Sequence, residues 1–354
     1  MTGQTDLPRR ATRHRAAHRR RSTGALRHTD PGNRRNRRRA NRTLRILIYA
    51  ALTLLSLVFV LFAWATFTYV SVSRELEPDD PQVVEEIHSE LAPVEEIAEG
   101  DPTYVLIIGA DRRPGQTRAR SDTLLVMRLD PDSHRVGMLS IPRDTRVRID
   151  GHGTTKINAA HAYGGPALAV RTVRQFTGLP IHHFVEIDFV GFTKIVDSMG
   201  GVWIDVDRSI DDTAGSDTGG VSDVTFIPAG YQRLSGAQAL TYVRSRDFPE
   251  GDFARIRNQQ RFLMAVTKQA LTGSNFTRLP GTARSVAANV ETDMSVSSLL
   301  RLANKFRELD DEDIVGYTVP GRPRSIRGVS YVIADESAAK RTIDAFRRGN
   351  DLNQ

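Results

Sequence analysis

The sequence predicts an α/β protein: a mixed central β-sheet sandwiched by helices, preceded by one N-terminal transmembrane helix. Two observations carry that expectation. From residue 104 to 347, short runs rich in Val, Ile and Leu interleave with segments of helical period, the pattern of helices packed around a sheet. Ahead of them, residues 46–72 form an apolar run without a single charge. That run exceeds the roughly 20 residues a helix needs to cross a bilayer.

The elements follow in order. Residues 1–45 hold fifteen Arg and no Lys against Asp6 and Asp30, a net of +13, with almost no apolar residues, so a disordered basic cytoplasmic tail is expected. The whole chain is +7, which leaves −6 for residues 46–354. A nucleic-acid-binding protein carries its basic patch on the folded domain, so nucleic acid is excluded as a partner. The tail suits the anionic inner leaflet, and the positive-inside bias alone also accounts for it. The same bias places everything after Arg74 outside the cell membrane, as a single-pass protein with a cytoplasmic N-terminus. A cleavable signal peptide has an apolar region of only about 7 to 15 residues and a small-residue cleavage site, and neither fits here.

Residues 73–102 are acidic, with prolines at 78, 81 and 93, and read as an extracytoplasmic stalk with room for a short helix over 83–98. The folded domain is expected over 103–348, with a short tail at 349–354. Its first strand is Tyr104-Val-Leu-Ile-Ile-Gly109; strands over 123–129 and 135–141 follow, joined by a turn over 130–134. Further strands are expected over 184–187, 202–206, 224–227, 314–319 and 330–333. Helices are expected over 166–176, 189–198, 235–242, 255–272, 295–309 and 336–347. The chain has no cysteine, so its stability must come from its core, and thiol catalysis and Cys-type zinc sites are excluded.

If the first three strands pair antiparallel, Asp111 past strand one, Asp122 at the start of strand two and Arg143 past strand three meet at one sheet edge. Opposed Cα atoms in such a pair lie about 4.5 to 5.5 Å apart. Asp111 and Asp122 then either share a hard divalent cation, Mg²⁺ for preference, or are turn aspartates paired with Arg112 or Arg120. A second cluster is Tyr242-Val-Arg-Ser-Arg246, followed by Asp252, Arg255, Arg257 and Gln259. In an extended segment Arg244 and Arg246 would form a two-pronged fork, and Arg255 and Gln259 share a helix face near a helix N-terminus. Arginines suit bidentate recognition of phosphate; a solvated charge run has the same composition. Asp212-Thr-Ala-Gly and Asp217-Thr-Gly-Gly mimic a protease motif, but lie five apart in a Gly/Ser/Asp-rich stretch and read as a solvent loop. His182 and His183 face opposite sides of a strand, which argues against a joint metal site.

Taken together, the segments resemble the LytR-CpsA-Psr family of cell-envelope phosphotransferases over roughly residues 103–348. The matching stretches are Val105-Leu-Ile-Ile-Gly-Ala-Asp-Arg112, Arg120-Ser-Asp-Thr123, Ser140-Ile-Pro-Arg-Asp-Thr145, Lys156-Ile-Asn-Ala-Ala160 with Tyr163-Gly-Gly165, Asp188-Phe-Val-Gly-Phe192, Gly200-Gly-Val202, Leu234-Ser-Gly-Ala-Gln-Ala-Leu240 and Tyr242-Val-Arg-Ser-Arg246, with the segment over 252–260.

The resemblance implies a Mg²⁺-dependent enzyme that moves a glycopolymer, arabinogalactan or another wall polymer, from a polyprenyl-pyrophosphate carrier to a peptidoglycan sugar hydroxyl as a phosphodiester. It implies Asp111 and Asp122 as metal ligands and Arg120, Arg143, Arg244, Arg246, Arg255 and Gln259 as pyrophosphate ligands. The lipid is expected in an apolar tunnel between sheet and helices. Asp122, Asp111 and Asp252 remain alternatives for the group that orients or deprotonates the acceptor. The chain departs from the family pattern at Asn258, where a second arginine is usual, and Arg257 points about 200° from Arg255 on a helix. The other class of function left open is a non-catalytic lipid-carrier or polymer-binding module, or an envelope regulator.

Overall fold

The computed structural model describes residues 80–98, 100–110, 119–212, 221–246, 248, 252–271, 282, 285–286, 288–306, 309 and 311–350. The expected basic tail, the expected span, the first part of the stalk, Asp111 and Arg112 and most of the C-terminal tail lie outside them. So does the stretch that holds Asp217. Among the described residues no helix is long and apolar enough to cross a membrane.

The architecture is the expected mixed sheet between helices. Strands β1 (Thr103–Ala110), β2 (Ser121–Asp130) and β3 (Arg135–Ser140) form an antiparallel meander. The turn between β2 and β3 is fixed by the Asp130 carboxylate, which accepts from the backbone N–H groups of Asp132 and Ser133. After the hairpin of β4 (Arg146–Ile149) and β5 (Gly153–Lys156), helix α2 (Ala159–Thr177) crosses to β6 (His183–Asp188), which adds parallel to β1. Helix α1 (Pro81–Glu90) precedes the sheet.

Helix α3 (Phe189–Ser198) starts directly after β6, capped by the Asp188 carboxylate on the Gly191 N–H. The ribbon of β7 (Val202–Val206) and β10 (Gly230–Leu234) follows, with the short pair β8 (Ile210–Asp211) and β9 (Phe226–Ile227) between. Helices α4 (Gly236–Arg244) and α5 (Asp252–Leu271) come next, then β11 (Val290–Thr292) and α6 (Val296–Lys305). Strand β12 (Ile314–Thr318), the hairpin β13 (Gly321–Ile326) and β14 (Val329–Ala334), and α7 (Glu336–Arg348) complete the chain. The main sheet runs β11-β6-β1-β2-β3-β12.

Alternation along the central strands sorts the core. Leu106, Ile108, Leu124, Val126 and Phe184 pack with α1, α2 and α7, through Ile87, Val170, Val173, Ile343 and Phe346. On the opposite face, Leu125 and Met138 pack with α5 and α6 through Leu263, Leu302 and Phe306. A third cluster joins α3, α4 and α5 to the β7–β10 ribbon through Val196, Ile204, Tyr242 and Phe262.

The expected helix over 166–176 is the second of two segments within α2: Gly164 and Gly165 (φ 61°) are non-helical and separate it, at Pro166, from a first short segment that begins at Ala159. Two expectations need correction. The stalk is not a free linker from residue 81 onward: Val83, Ile87 and Leu91 recur at i, i+4 spacing, and Ile87 is 1% exposed in the core. The expected strand over 224–227 is reduced to Phe226–Ile227.

Candidate active site

The meander brings Asp122 and Arg143 to one edge, as its antiparallel pairing requires. What aims Asp122 is a break in the register. Gly109 pairs with Thr123, but Ala110 pairs with Ser121, so Asp122 is the extra residue of a β-bulge. Strict alternation would put it on the α2 face with Leu124. The bulge turns it toward the other face, where Asp122, Thr123 and Leu125 all line one cavity. Gly109 serves the same geometry, since a Cβ there would stand 3.0 Å from the Cβ of Thr123.

Two arginines converge on this carboxylate. Arg143 donates to Asp122 Oδ1, and Arg244 lies 3.3 Å from Asp122 Oδ2. Arg143 is held by its backbone, whose carbonyl accepts from the Asn158 N–H at 3.2 Å. Its buried Nε has no hydrogen-bond partner among the described residues and lies 4.0 Å from Asp144 Oδ2, while Asp144 pairs with Lys156 at 2.8 Å. Arg244 stands in the last turn of α4, its guanidinium carbon 4.0 Å from the centre of the Phe189 ring, a cation–π contact. The extended fork expected from Arg244 and Arg246 is therefore not formed. The helix runs to Arg244 and releases the chain at Ser245 (φ −57°, ψ 139°), so Arg244 turns inward while Arg246 is exposed.

Arg255 and Gln259 share the inner face of α5 and line the same cavity. Gln259 donates to the carbonyl of Val243, and Asn258 donates to that of Tyr242. These bonds serve two carbonyls that the end of α4 would otherwise leave unpaired. Asn258 thus fastens α5 to α4 where relatives are expected to carry arginine. Arg257 is exposed, as the helical angle requires. Arg120 is exposed beside the site, and Asp252 begins α5.

Sequence reasoning named Phe189 and Asn258 without giving either a contact, and it missed a buried pair behind the site. His161 Nδ1 donates to the Ala119 carbonyl at 2.7 Å, and its Nε2 lies 2.9 Å from Glu186 Oε2. Because a carbonyl only accepts, the second contact also needs a proton, on imidazole or on carboxyl. The pair fixes the chain one residue before Arg120. His182 and His183 do diverge: His182 accepts from the Tyr104 N–H, while His183 meets Asp293.

Behind the Asp122–Arg244–Arg255–Gln259 mouth runs an apolar cavity of about 260 Å³. Ile107, Leu125, Val185 and Ile187 form its floor, and Phe192, Ile195, Leu240, Phe262 and Val266 its roof. A charged end that meets anions and a hydrocarbon interior together suit one kind of ligand, an amphiphile with an anionic head. Of the residues named at that mouth, Asp122 alone offers a hard carboxylate donor. Each of its oxygens that meets a guanidinium keeps another lone pair, which suits one ligand position of a cation such as Mg²⁺. Among the described residues no three His, Cys, Asp or Glu gather into a site that could hold a metal alone.

The LytR_cpsA_psr family model matches residues 66–348, and the chain belongs to that family. A polyisoprenyl-teichoic acid–peptidoglycan teichoic acid transferase TagU of Bacillus cereus is 30% identical over 290 residues, 80% of this chain and 91% of that protein. The TagU of Halalkalibacterium halodurans is 33% identical over 255 residues, 70% of this chain and 78% of that protein. Among solved structures, B. subtilis TagV superposes with a TM-score of 0.62 at 30% identity, covering 71% of this chain and 98% of its own. A TagT structure with LI-WTA bound gives 0.61 at 27% identity, covering 73% and 95%. The chain is an enzyme, a phosphotransferase.

Proposed function

We propose that this protein transfers a glycopolymer from a polyprenyl-pyrophosphate carrier to a sugar hydroxyl of peptidoglycan, and that residues 46–72 cross the membrane so that this happens on its outer side. The observation that carries the reading is the junction of the Asp122–Arg143–Arg244 cluster with the apolar cavity, since a prenyl diphosphate has those two halves in that order.

In this mechanism Arg244, Arg255 and Gln259 take diphosphate oxygens at the mouth, while Arg143, Arg120 and Arg246 complete the cationic surround. Phosphoryl transfer asks mainly for position and charge neutralisation. Mg²⁺, held by Asp122 and Asp111, would supply further neutralisation of the diphosphate. The acceptor oxygen forms a bond to the glycan-linked phosphorus, the bridging P–O bond breaks, and prenyl phosphate leaves. The acceptor's proton passes to a carboxylate, for which Asp122, Asp111 and Asp252 are the candidates. Asp122 is the candidate already oriented by two guanidinium groups.

The test is turnover by the full-length chain in detergent, given a polyprenyl-pyrophosphate-linked oligosaccharide, Mg²⁺ and peptidoglycan fragments. The expected products are prenyl monophosphate and a phosphodiester-linked glycan. Binding of the carrier without release of prenyl phosphate would sink the reading in favour of a carrier-binding module.

A further inference from the structure

The β7–β10 ribbon has two unlike faces. Inward, Val202, Ile204, Val206 and Leu234 are buried in the cluster shared with α3, α4 and α5. Outward, the register sets Trp203 opposite Arg233 and Asp205 opposite Tyr231. Trp203 is 47% and Tyr231 71% exposed, and the rings stack with centroids 5.4 Å apart and planes at 20°. Two large aromatic side chains left in the open need a reason, because each would gain from burial.

The backbone that presents them is fixed. Gln269 of α5 accepts from the Trp203 N–H and donates to the Trp203 carbonyl, both at 2.8 Å. The same helix carries Arg255 at the cavity mouth and Val266 on the cavity wall, and Gln269 lies about 21 Å further along its axis than Arg255. Met199, also on the cavity wall, precedes Trp203 by four residues. The aromatic pair therefore marks the end of the molecule toward which the cavity runs from its charged mouth.

We propose that the outer face of this ribbon, Trp203 and Tyr231 beside Arg233, docks on the lipid bilayer. This rests on the prenyl-carrier reading above. A carrier whose diphosphate sits at Asp122 directs its hydrocarbon toward the ribbon, and the bilayer is the reservoir from which that hydrocarbon comes. The apolar run over 46–72 ends eight residues before Asp80, so the tether spans at most about 29 Å. With the span proposed above, so short a tether keeps Asp80 close to the membrane surface.

Trp and Tyr concentrate at that depth because their rings are apolar and their N–H and O–H groups polar. The exposed Arg233 adds attraction for anionic headgroups, partly offset by Asp205. A glycan is the weaker candidate. Stacked on each other, the two rings each cover one face of the other, which leaves a compact knob in place of a flat platform for a sugar.

The chain has two tryptophans, Trp64 and Trp203, which makes a direct test available. In the full-length Trp64→Phe variant, reconstituted into phosphatidylcholine–phosphatidylglycerol vesicles, Trp203 becomes the sole reporter. Its emission is expected to lose intensity with headgroup-nitroxide lipid and to resist aqueous iodide. Full iodide quenching with no effect of the nitroxide lipid overturns the proposal, as does protection that arises only when peptidoglycan fragments are added.

The Trp203→Ser/Tyr231→Ser double variant should turn over a long-chain carrier embedded in vesicles about tenfold more slowly, the equivalent of 1.4 kcal/mol. It should match the parent on a short-chain carrier in detergent. Equal loss on both substrates overturns docking. No turnover of the short-chain carrier by the parent chain overturns the transfer reading instead, and leaves the quenching result to stand or fall alone.

Discussion

The two faces of the central sheet are made from the same strands and hold different contents. On one, Leu106, Ile108, Leu124 and Phe184 are at most 2% exposed beneath α2 and α7. On the other, Ile107, Leu125, Val185 and Ile187 look into a cavity roofed by α3, α4 and α5. Adjacent residues of one strand therefore do opposite work: Ile108 seals a core and Ile107 lines a hydrocarbon site. The contrast shows where stability and function are separated in this molecule, and it sets the order of the experiments that can break it.

The largest effect is expected on the open face. Arg244 meets both the Asp122 carboxylate and the Phe189 ring at the mouth of the cavity. Arg244→Ala should lower transfer by about 10³-fold, the scale at which removal of one preorganised donor to developing charge is felt. The melting temperature should move little. Prenyl phosphate release at the parent rate would remove Arg244 from the site.

On the sealed face the effect should be on folding. Ile108→Ala leaves a void where no exposed surface can relax it, and a cost of about 3 to 4 kcal/mol is expected in chemical denaturation. Turnover of the surviving folded fraction should match the parent. A change in its KM for the carrier would mean the two faces are coupled.

How much of this was legible in the sequence follows from the range over which each feature is set. The first strand, its antiparallel partners and the edge shared by Asp122 and Arg143 depend on local apolar runs and short connections, which the sequence displays. The bulge at Asp122 is a property of register between two strands, invisible in either one alone. The inward turn of Arg244 depends on α4 continuing two residues beyond its expected end, and helix ends are weakly encoded. Glu186 lies 25 residues from His161, and no spacing rule links them. Apolar residues on both faces of β1 announce burial, yet nothing in their alternation says that one face is filled and the other hollow.

A pH experiment probes the sealed face from its rim. Burial, with the charges of His183 and Arg174, lowers the His182 pKa to about 4. Its Nδ1 accepts from the Tyr104 N–H at 3.0 Å, so the neutral ring is the one the fold holds. The unfolded chain takes up this proton near pH 6.5 and the native state only near 4. The contribution is therefore complete above pH 6.5 and lost as pH falls toward 4, a total of about 3 kcal/mol. His182→Asn keeps an acceptor without the titration. The stability difference between parent and variant should narrow or change sign by that amount between pH 7 and 4; a constant difference would show that His182 titrates normally.

Arg143→Lys returns to the mouth with a smaller change. Lys keeps the charge near Asp122 but loses the planar set of donors, including the buried Nε. A loss of about 30-fold in transfer, roughly 2 kcal/mol, is expected, again with the fold intact. Parent-level turnover would show that charge alone suffices at this position.

The smallest effect is also the sharpest test of the comparison. Ile107 is one residue from Ile108, on the same strand, and the same truncation to Ala removes the same atoms. Because Ile107 already borders open volume, Ile107→Ala enlarges a space that exists instead of creating one, and its cost should be about 1.5 kcal/mol, under half that of Ile108→Ala. The same substitution should relax selection among carriers by prenyl length, read as a flatter dependence of kcat/KM on the number of isoprene units. Equal destabilisation by the two truncations would mean that both faces are packed alike, and a packed face has no room for a prenyl chain.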